Sequence, residues 1–201
     1  MKTIIRAFIA IPLSPLIQTN LAEFIHRYGL DSRSSGFKAV KPAQIHITLK
    51  FFREIPLAQI EPVSRKLQQN LAGLNPFRIH VHGLGAFPAW QPHPRVIWVG
   101  LDPLESIQSL FEKIDAATVS LGFPSETRQF SPHLTLARAM NSSSQSTREG
   151  LIQRLASLSQ EPDFGNMTVD RVNFYQSELF PEGPKYTLLS SHVFSGTTDL
   201  C

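Results

Sequence analysis

A single cysteine, Cys201, is all the thiol chemistry this chain has. No internal disulfide is possible, and any site built from several thiolates is excluded. One lone thiol suits a reducing compartment, so a cytoplasmic location is expected. No stretch approaches the roughly 20 consecutive apolar residues of a membrane-crossing helix, so no membrane partner is expected. The opening "MKTIIRAFIAIPLSPLI" has the apolar look of a leader, but Arg6 interrupts it, Pro12 and Pro15 follow, and no small-x-small cleavage site appears. It reads as a first strand. Lys and Arg never form a block, which disfavours extended duplex binding. Also missing are a glycine-rich phosphate loop, a paired-carboxylate motif and a serine nucleophile elbow. The glycines of "GLGAF" lack the strand-to-helix setting that would give them that meaning.

What is present defines an ordinary globular chain. With 42% apolar and 17% charged residues, its 201 residues can bury a core of their own and carry no signature of disorder. The formal charge of +3 favours a phosphate-bearing ligand without demonstrating one.

Strand and helix signals alternate. "TIIRAFIAI" is rich in β-branched and aromatic residues and stops at Pro12. Ser14 can cap a helix with Pro15 at its first position, an apolar face at Ile17, Leu21, Phe24 and Ile25, and Gly29 at its end. Residues 30–43 read as a loop. After "QIHITLK", the spacing of Leu57, Ile60, Val63, Leu67 and Leu71 predicts a second helix, with Pro62 in its first turns. "FRIHVHGLGAF" and "RVIWVGL" read as strands, and Ile107, Leu110, Phe111, Ile114 and Leu121 predict a third helix ending at Gly122. After "SPHLTLAR", Ser146 and Glu149 suit a capping box for a fourth helix, followed by two strands, "NMTVDRVNFYQS" and "KYTLLSSHVFS".

The two halves share one order of elements at an offset of roughly 90 residues, as a duplication would produce. The expected fold is α+β: one domain over residues 1–201, made of two pseudo-symmetric lobes (about 1–90 and 91–201). Each lobe is an antiparallel sheet with flanking helices, and the two face a central cleft.

The most informative repeat is short. "HITL" at His46 and "HLTL" at His133 place a histidine and a threonine two residues apart, hence on one face of a strand, with aliphatic residues behind. If a pseudo-axis relates the strands, His46, Thr48, His133 and Thr135 converge on one cleft. Imidazoles have an unperturbed pKa near 6.5, so one can accept a proton while the other donates one. Hydroxyls are uncharged donors suited to phosphoryl oxygens.

In this context "HITL" and "HLTLAR" resemble the paired signature of the two-histidine phosphoesterases, and most closely the RNA 2′,3′-cyclic phosphodiesterases, also called 2′-5′ RNA ligase-like proteins. "RAFIAIPL", "GLGAFP" with "PRVIWVGL", "FSPHLTLAR" and "FYQSELFPEGPKYTLL" extend the match from about Arg6 to Leu189. The resemblance implies metal-independent, cofactor-free hydrolysis of an RNA or nucleotide 2′,3′-cyclic phosphate to a 2′-phosphomonoester, with 2′-5′ ligation as the reverse reaction. It assigns His133 as general base, His46 as general acid, and Thr48, Thr135 and Arg138 as phosphate ligands. Strict alternation puts Arg138 on the face opposite His133, so Arg138 reaches the cleft only if the strand bends there. Relatives usually continue the first motif as Phe-Leu-Gly. This chain has Phe51, Phe52 and Arg53, which makes Arg53 a candidate for the substrate rim.

Competing readings remain at this level. Lys50 and Phe52 share the predicted face of His46, as a phosphate and a base contact or as an exposed lysine and a packed ring. His80 and His82 share a strand face but lack further ligands for zinc. His26 reads as structural and His93 as a surface residue. Phe8, Trp90 and Phe130 are candidates for base stacking, with core packing as the alternative. Two other function classes stay open: an RNA-end-binding accessory protein without turnover, and a metal-dependent hydrolase. A monomer is the expected state.

Overall fold

The computed structural model describes residues 3–141, 145–158, 160–181 and 183–196. Its elements are β1 (Ile4–Pro12), α1 (Pro15–Arg27), β2 (Phe37–Ala39), β3 (His46–Pro56), α2 (Ile60–Leu71), β4 (Phe77–Phe87), β5 (Val96–Asp102), α3 (Leu104–Val119), β6 (Leu134–Ala139), α4 (Gln145–Ser157), β7 (Asp163–Val169), β8 (Arg171–Phe180) and β9 (Gly183–Val193). No helix among the described residues is long and apolar enough to cross a membrane.

Local signals place several boundaries where the sequence does. Ser14 Oγ accepts a hydrogen bond from the Ile17 amide at 3.4 Å, Pro15 opens α1, and Gly29 ends it with φ +67°. Ile17, Leu21, Phe24 and Ile25 are its buried face. Ser146 differs from expectation: α4 already runs from Gln145, so Ser146 lies inside the helix and does not cap it. His26 also differs. Its side chain is 87% exposed and pairs with Asp31 at 3.3 Å, because it lies off the apolar stripe of α1. His93 is exposed, as a surface residue should be, and Trp90 is partly buried against the core.

The strands form two antiparallel sheets. One has the order β3-β1-β8-β9, the other β2-β6-β5-β4-β7. Helices α2 and α3 cover the first sheet, and α1 and α4 the second. Setting β2 aside, the orders superimpose: β3 matches β6, β1 matches β5 and β8 matches β4. The fold is therefore α+β and pseudo-symmetric.

The sheets do not divide the chain at residue 90. β4 pairs with β5 in the second sheet, and β8 and β9 complete the first beside β1. The first half thus gives β4 and the short β2 to the second sheet, and the second half gives β8 and β9 to the first; for β4, the short link to β5 favours antiparallel pairing of neighbours. The stretch "NMTVDRVNFYQS" is likewise divided between the sheets, as two strands and not one. β7 ends at Val169 in one sheet and β8 begins at Arg171 in the other. No glycine or proline marks that switch. Strand β2, inside the expected loop, pairs Phe37 to Ala39 against Ala139 to Ala137 of β6.

Candidate active site

Each motif strand breaks register with its neighbour just after its threonine. Along β3 the pairing steps from Ala10↔Thr48 to Ile9↔Lys50, so Leu49 is an extra residue. Along β6 it steps from Trp98↔Thr135 to Ile97↔Ala137, so Leu136 is extra. Such bulges invert the parity of everything downstream. Arg138 therefore joins His133 and Thr135 on the cleft side, the bend its placement requires. In β3 the same inversion turns Phe51 toward the cleft, 39% exposed, with the Arg6 guanidinium 5.4 Å from its ring centre. Lys50 and Phe52 go the other way. Phe52 packs on Phe123 and Phe174, and Lys50 is only 3% exposed, so neither shares a face with His46. Arg53 is exposed within a strand that runs on to Pro56, with no turn there for a glycine to serve, and it is not a cleft residue.

One cleft of about 1060 Å³ is lined by His46, Thr48, His133, Thr135 and Arg138 together. Among the described residues, its other charged lining groups are Lys38, Lys41, Arg128, Lys185 and a single acid, Glu126; Lys50 also borders it, with its ammonium turned away to Asp115. Basic side chains thus outnumber acidic ones around this cleft.

The two imidazoles are held alike. His46 Nδ1 lies 2.7 Å from the Gln44 carbonyl, and His133 Nδ1 lies 2.7 Å from the Ser131 carbonyl. A carbonyl can only accept, so each Nδ1 carries the hydrogen and each Nε2 is left to exchange protons. The Gln44 side chain also donates to the Pro184 carbonyl at 2.7 Å, tying the start of β3 to β9. Aromatic rings support both. His46 stacks on Phe8 at 4.7 Å and meets Tyr186 edge-on at 5.5 Å, and His133 meets Phe87 edge-on at 5.0 Å with Trp98 at 6.2 Å.

This setting fixes the electrostatics. Burial pushes His46 down to about 4; the Gln44 carbonyl opposes that shift and Arg138 adds to it. His133 is lowered by the same causes, burial first, with the Ser131 carbonyl opposing. Burial raises the Tyr186 phenol, partly offset by Arg138. Near neutral pH the cleft thus presents two neutral imidazoles, a neutral phenol and a fixed cation.

Trp98 depends on a glycine. Gly85 is its cross-strand partner, and a Cβ on Gly85 would fall 2.0 Å from a ring carbon of Trp98. Gly85→Ala is expected to displace the indole and lower stability by about 1–3 kcal/mol, read as a drop in melting temperature with a shift in tryptophan emission.

The remaining candidates lie elsewhere or play other parts. His80 bonds Asp163 at 2.8 Å, His82 bonds Asp102, and the two rings stack at 4.6 Å. Among the described residues no three His, Cys, Asp or Glu side chains form a metal-ligand group. Of the aromatic candidates, Phe8 and Phe130 line the cleft and Trp90 does not. Tyr186 and Phe51 are cleft residues that motif reading missed. Tyr186 sits in "GPKYTLL", whose period-two pattern gave no hint of which way it faced.

A profile of the 2′-5′ RNA ligase superfamily matches residues 17–179. An RNA 2′,3′-cyclic phosphodiesterase of Methanothermobacter thermautotrophicus is 32% identical over 183 residues, covering 91% of this chain and 95% of that one. One from Thermus thermophilus is 33% identical over 169 residues, covering 80% and 77%. Among solved structures, a Thermus thermophilus protein superposes with a TM-score of 0.77 at 27% identity, covering 95% of this chain and 98% of that one. Escherichia coli LigT complexed with 3′-AMP gives 0.74 at 18% identity, covering 96% and 99%, a likeness of fold. The chain belongs to the 2′-5′ RNA ligase superfamily, and within it to the family of the RNA 2′,3′-cyclic phosphodiesterases. It is an enzyme of that family.

Proposed function

We propose that this protein hydrolyses the 2′,3′-cyclic phosphate at RNA or nucleotide ends to a 2′-phosphomonoester without a metal ion, using His46 and His133 as an acid and base pair. The observation that carries the reading is the convergence of two identically tethered imidazoles, two threonines and Arg138 on one basic cleft. His133 Nε2 takes a proton from water as the water oxygen bonds to phosphorus. The bond from phosphorus to the 3′ oxygen breaks, and His46 delivers a proton to that oxygen. Thr48, Thr135 and Arg138 hold the non-bridging oxygens, where charge accumulates in the transition state. Phe51, exposed under Arg6, offers a flat surface beside the reacting phosphate for a base.

Both protons move between side chains and substrate, so the scheme needs no Lewis acid. Hydrolysis of a nucleoside 2′,3′-cyclic phosphate is expected to proceed at an unchanged rate in excess EDTA, with the 2′-phosphate as product by phosphorus NMR. Loss of turnover in chelator would instead favour the metal-dependent hydrolase. Absence of turnover with retained binding would favour an RNA-end-binding accessory protein. With a 5′-hydroxyl in place of water, the same proton transfers would join it to a cyclic phosphate end through a 2′-5′ bond as the bond to the 3′ oxygen breaks. A monomer suffices for the scheme, since one chain supplies every group in it.

A further inference from the structure

The chain delivers each catalytic histidine from a segment that crosses between the sheets. One runs from α1 to β3 and ends at Gln44, whose carbonyl holds His46. The other runs from α3 to β6 and ends at Ser131, whose carbonyl holds His133. The first crossing is pinned by backbone pairing, because β2 adds to the edge of β6. The second, residues 123–133, contains no strand. Side chains must fix it instead.

Lys50 and Asp115 supply most of that fixing. Lys50 Nζ donates to Asp115 Oδ1 at 2.6 Å and to the Pro124 carbonyl at 2.6 Å. Asp115 also accepts from Ser125 Oγ at 2.5 Å and from the Glu126 amide at 3.3 Å. Further along, Phe130 lies flat on Phe111 of α3, with ring centres 4.1 Å apart and planes 5° apart. Lys50 occupies the position between the two motif residues Leu49 and Phe51. The matching position in the second copy is Ala137, buried and uncharged. A lysine and an aspartate this enclosed cost desolvation that their attraction only offsets. A leucine-like pair would hold the core as well, so the pair's contribution is one of geometry.

We propose that Lys50 and Asp115 are positioning residues that clamp segment 123–133 against the first motif strand, so setting where the second imidazole and the wall formed by Arg128, Gln129 and Phe130 stand relative to the first. The role rests on the function proposed above. Lys50 is committed to Asp115 and to a carbonyl, and acts through the segment and not on the phosphate.

The test uses the double variant Lys50→Met/Asp115→Leu, which removes a pair of zero net charge and leaves apolar groups of similar size. It is expected to fold, to lose about 10- to 100-fold in kcat/KM, and to move the His133 titration, followed by imidazole proton NMR, upward toward 6.5. The sign follows from burial being the larger cause of its lowering: a loosened segment admits water, which outweighs a weakened bond to Ser131. His46 should stay low. Unchanged kcat/KM together with an unchanged His133 titration overturns the clamp. If the double variant does not fold, Ser125→Ala decides alone. It removes only the hydroxyl on Asp115 Oδ2 and should shift His133 in the same direction by less; no shift overturns the proposal. The titration reads the clamp even if the wild-type protein hydrolyses nothing, which keeps its failure distinct from failure of the proposed function.

Discussion

His133→Ala is expected to lower kcat/KM for a nucleoside 2′,3′-cyclic phosphate by roughly 10²- to 10⁴-fold, and His46→Ala by a similar factor. In the proposed mechanism each removes one of two groups that move protons in the same step. The double variant should therefore fall little below either single one, since groups acting as a unit are not additive. Fold loss is not the expected cause. Among the described residues each ring is held by one carbonyl and neighbouring aromatics, so melting temperatures should stay close to wild type. Turnover within threefold of wild type in either alanine variant would remove that histidine from the mechanism. Asparagine variants refine the test, because they can keep the bond to Gln44 or Ser131 while losing the proton-exchanging nitrogen.

The second large effect is on pH dependence. In the proposed mechanism the productive state carries one proton on the pair, and both imidazoles are lowered in the substrate-free cleft, His46 to about 4 and His133 below its usual value. A lowered histidine loses its proton as pH rises through the lowered pKa. Above both values the singly protonated pair thins by about tenfold per pH unit. kcat/KM should thus be bell-shaped with its maximum below pH 6.5, falling about 100-fold from pH 6.5 to 8.5. The limbs belong to the coupled pair and not to either ring. Bound cyclic phosphate brings a negative charge that favours the protonated form, so the kcat profile should lie at higher pH than that of kcat/KM. Arg138→Gln removes a cation that lowers both rings, and should move the kcat/KM maximum upward while raising KM. A maximum at or above pH 7.5 in the wild type would contradict this account.

Much of the site was legible because period-two spacing is a strong constraint. It put His46 with Thr48 and His133 with Thr135, and duplication gave the two pairs a reason to meet. What alternation cannot show is a bulge. Leu49 and Leu136 carry no mark of being extra residues, yet they decide that Arg138 and Phe51 face the cleft while Lys50 turns inward to Asp115. Partners distant in sequence were equally silent. Nothing around Asp115 in "FEKIDAATV" distinguishes it from a solvated helical acid. The exchange of strands between halves was hidden too, since "NMTVDRVNFYQS" keeps one uninterrupted strand pattern through Asp170. The repeat showed that there are two copies but not which strands each sheet would own.

That exchange has a mechanical consequence. Enzymes that close over a substrate by bending concentrate the motion in a few hinge residues. Here the backbone passes from one sheet's side to the other at β1 to α1, at β2 to β3, at α2 to β4, at β5 to α3, at α3 to β6 and again at β7 to β8. A rotation that opened the cleft would have to strain all of these connections together. The two sheets are laced together, so the spacing of His46 and His133 is expected to change little when substrate binds.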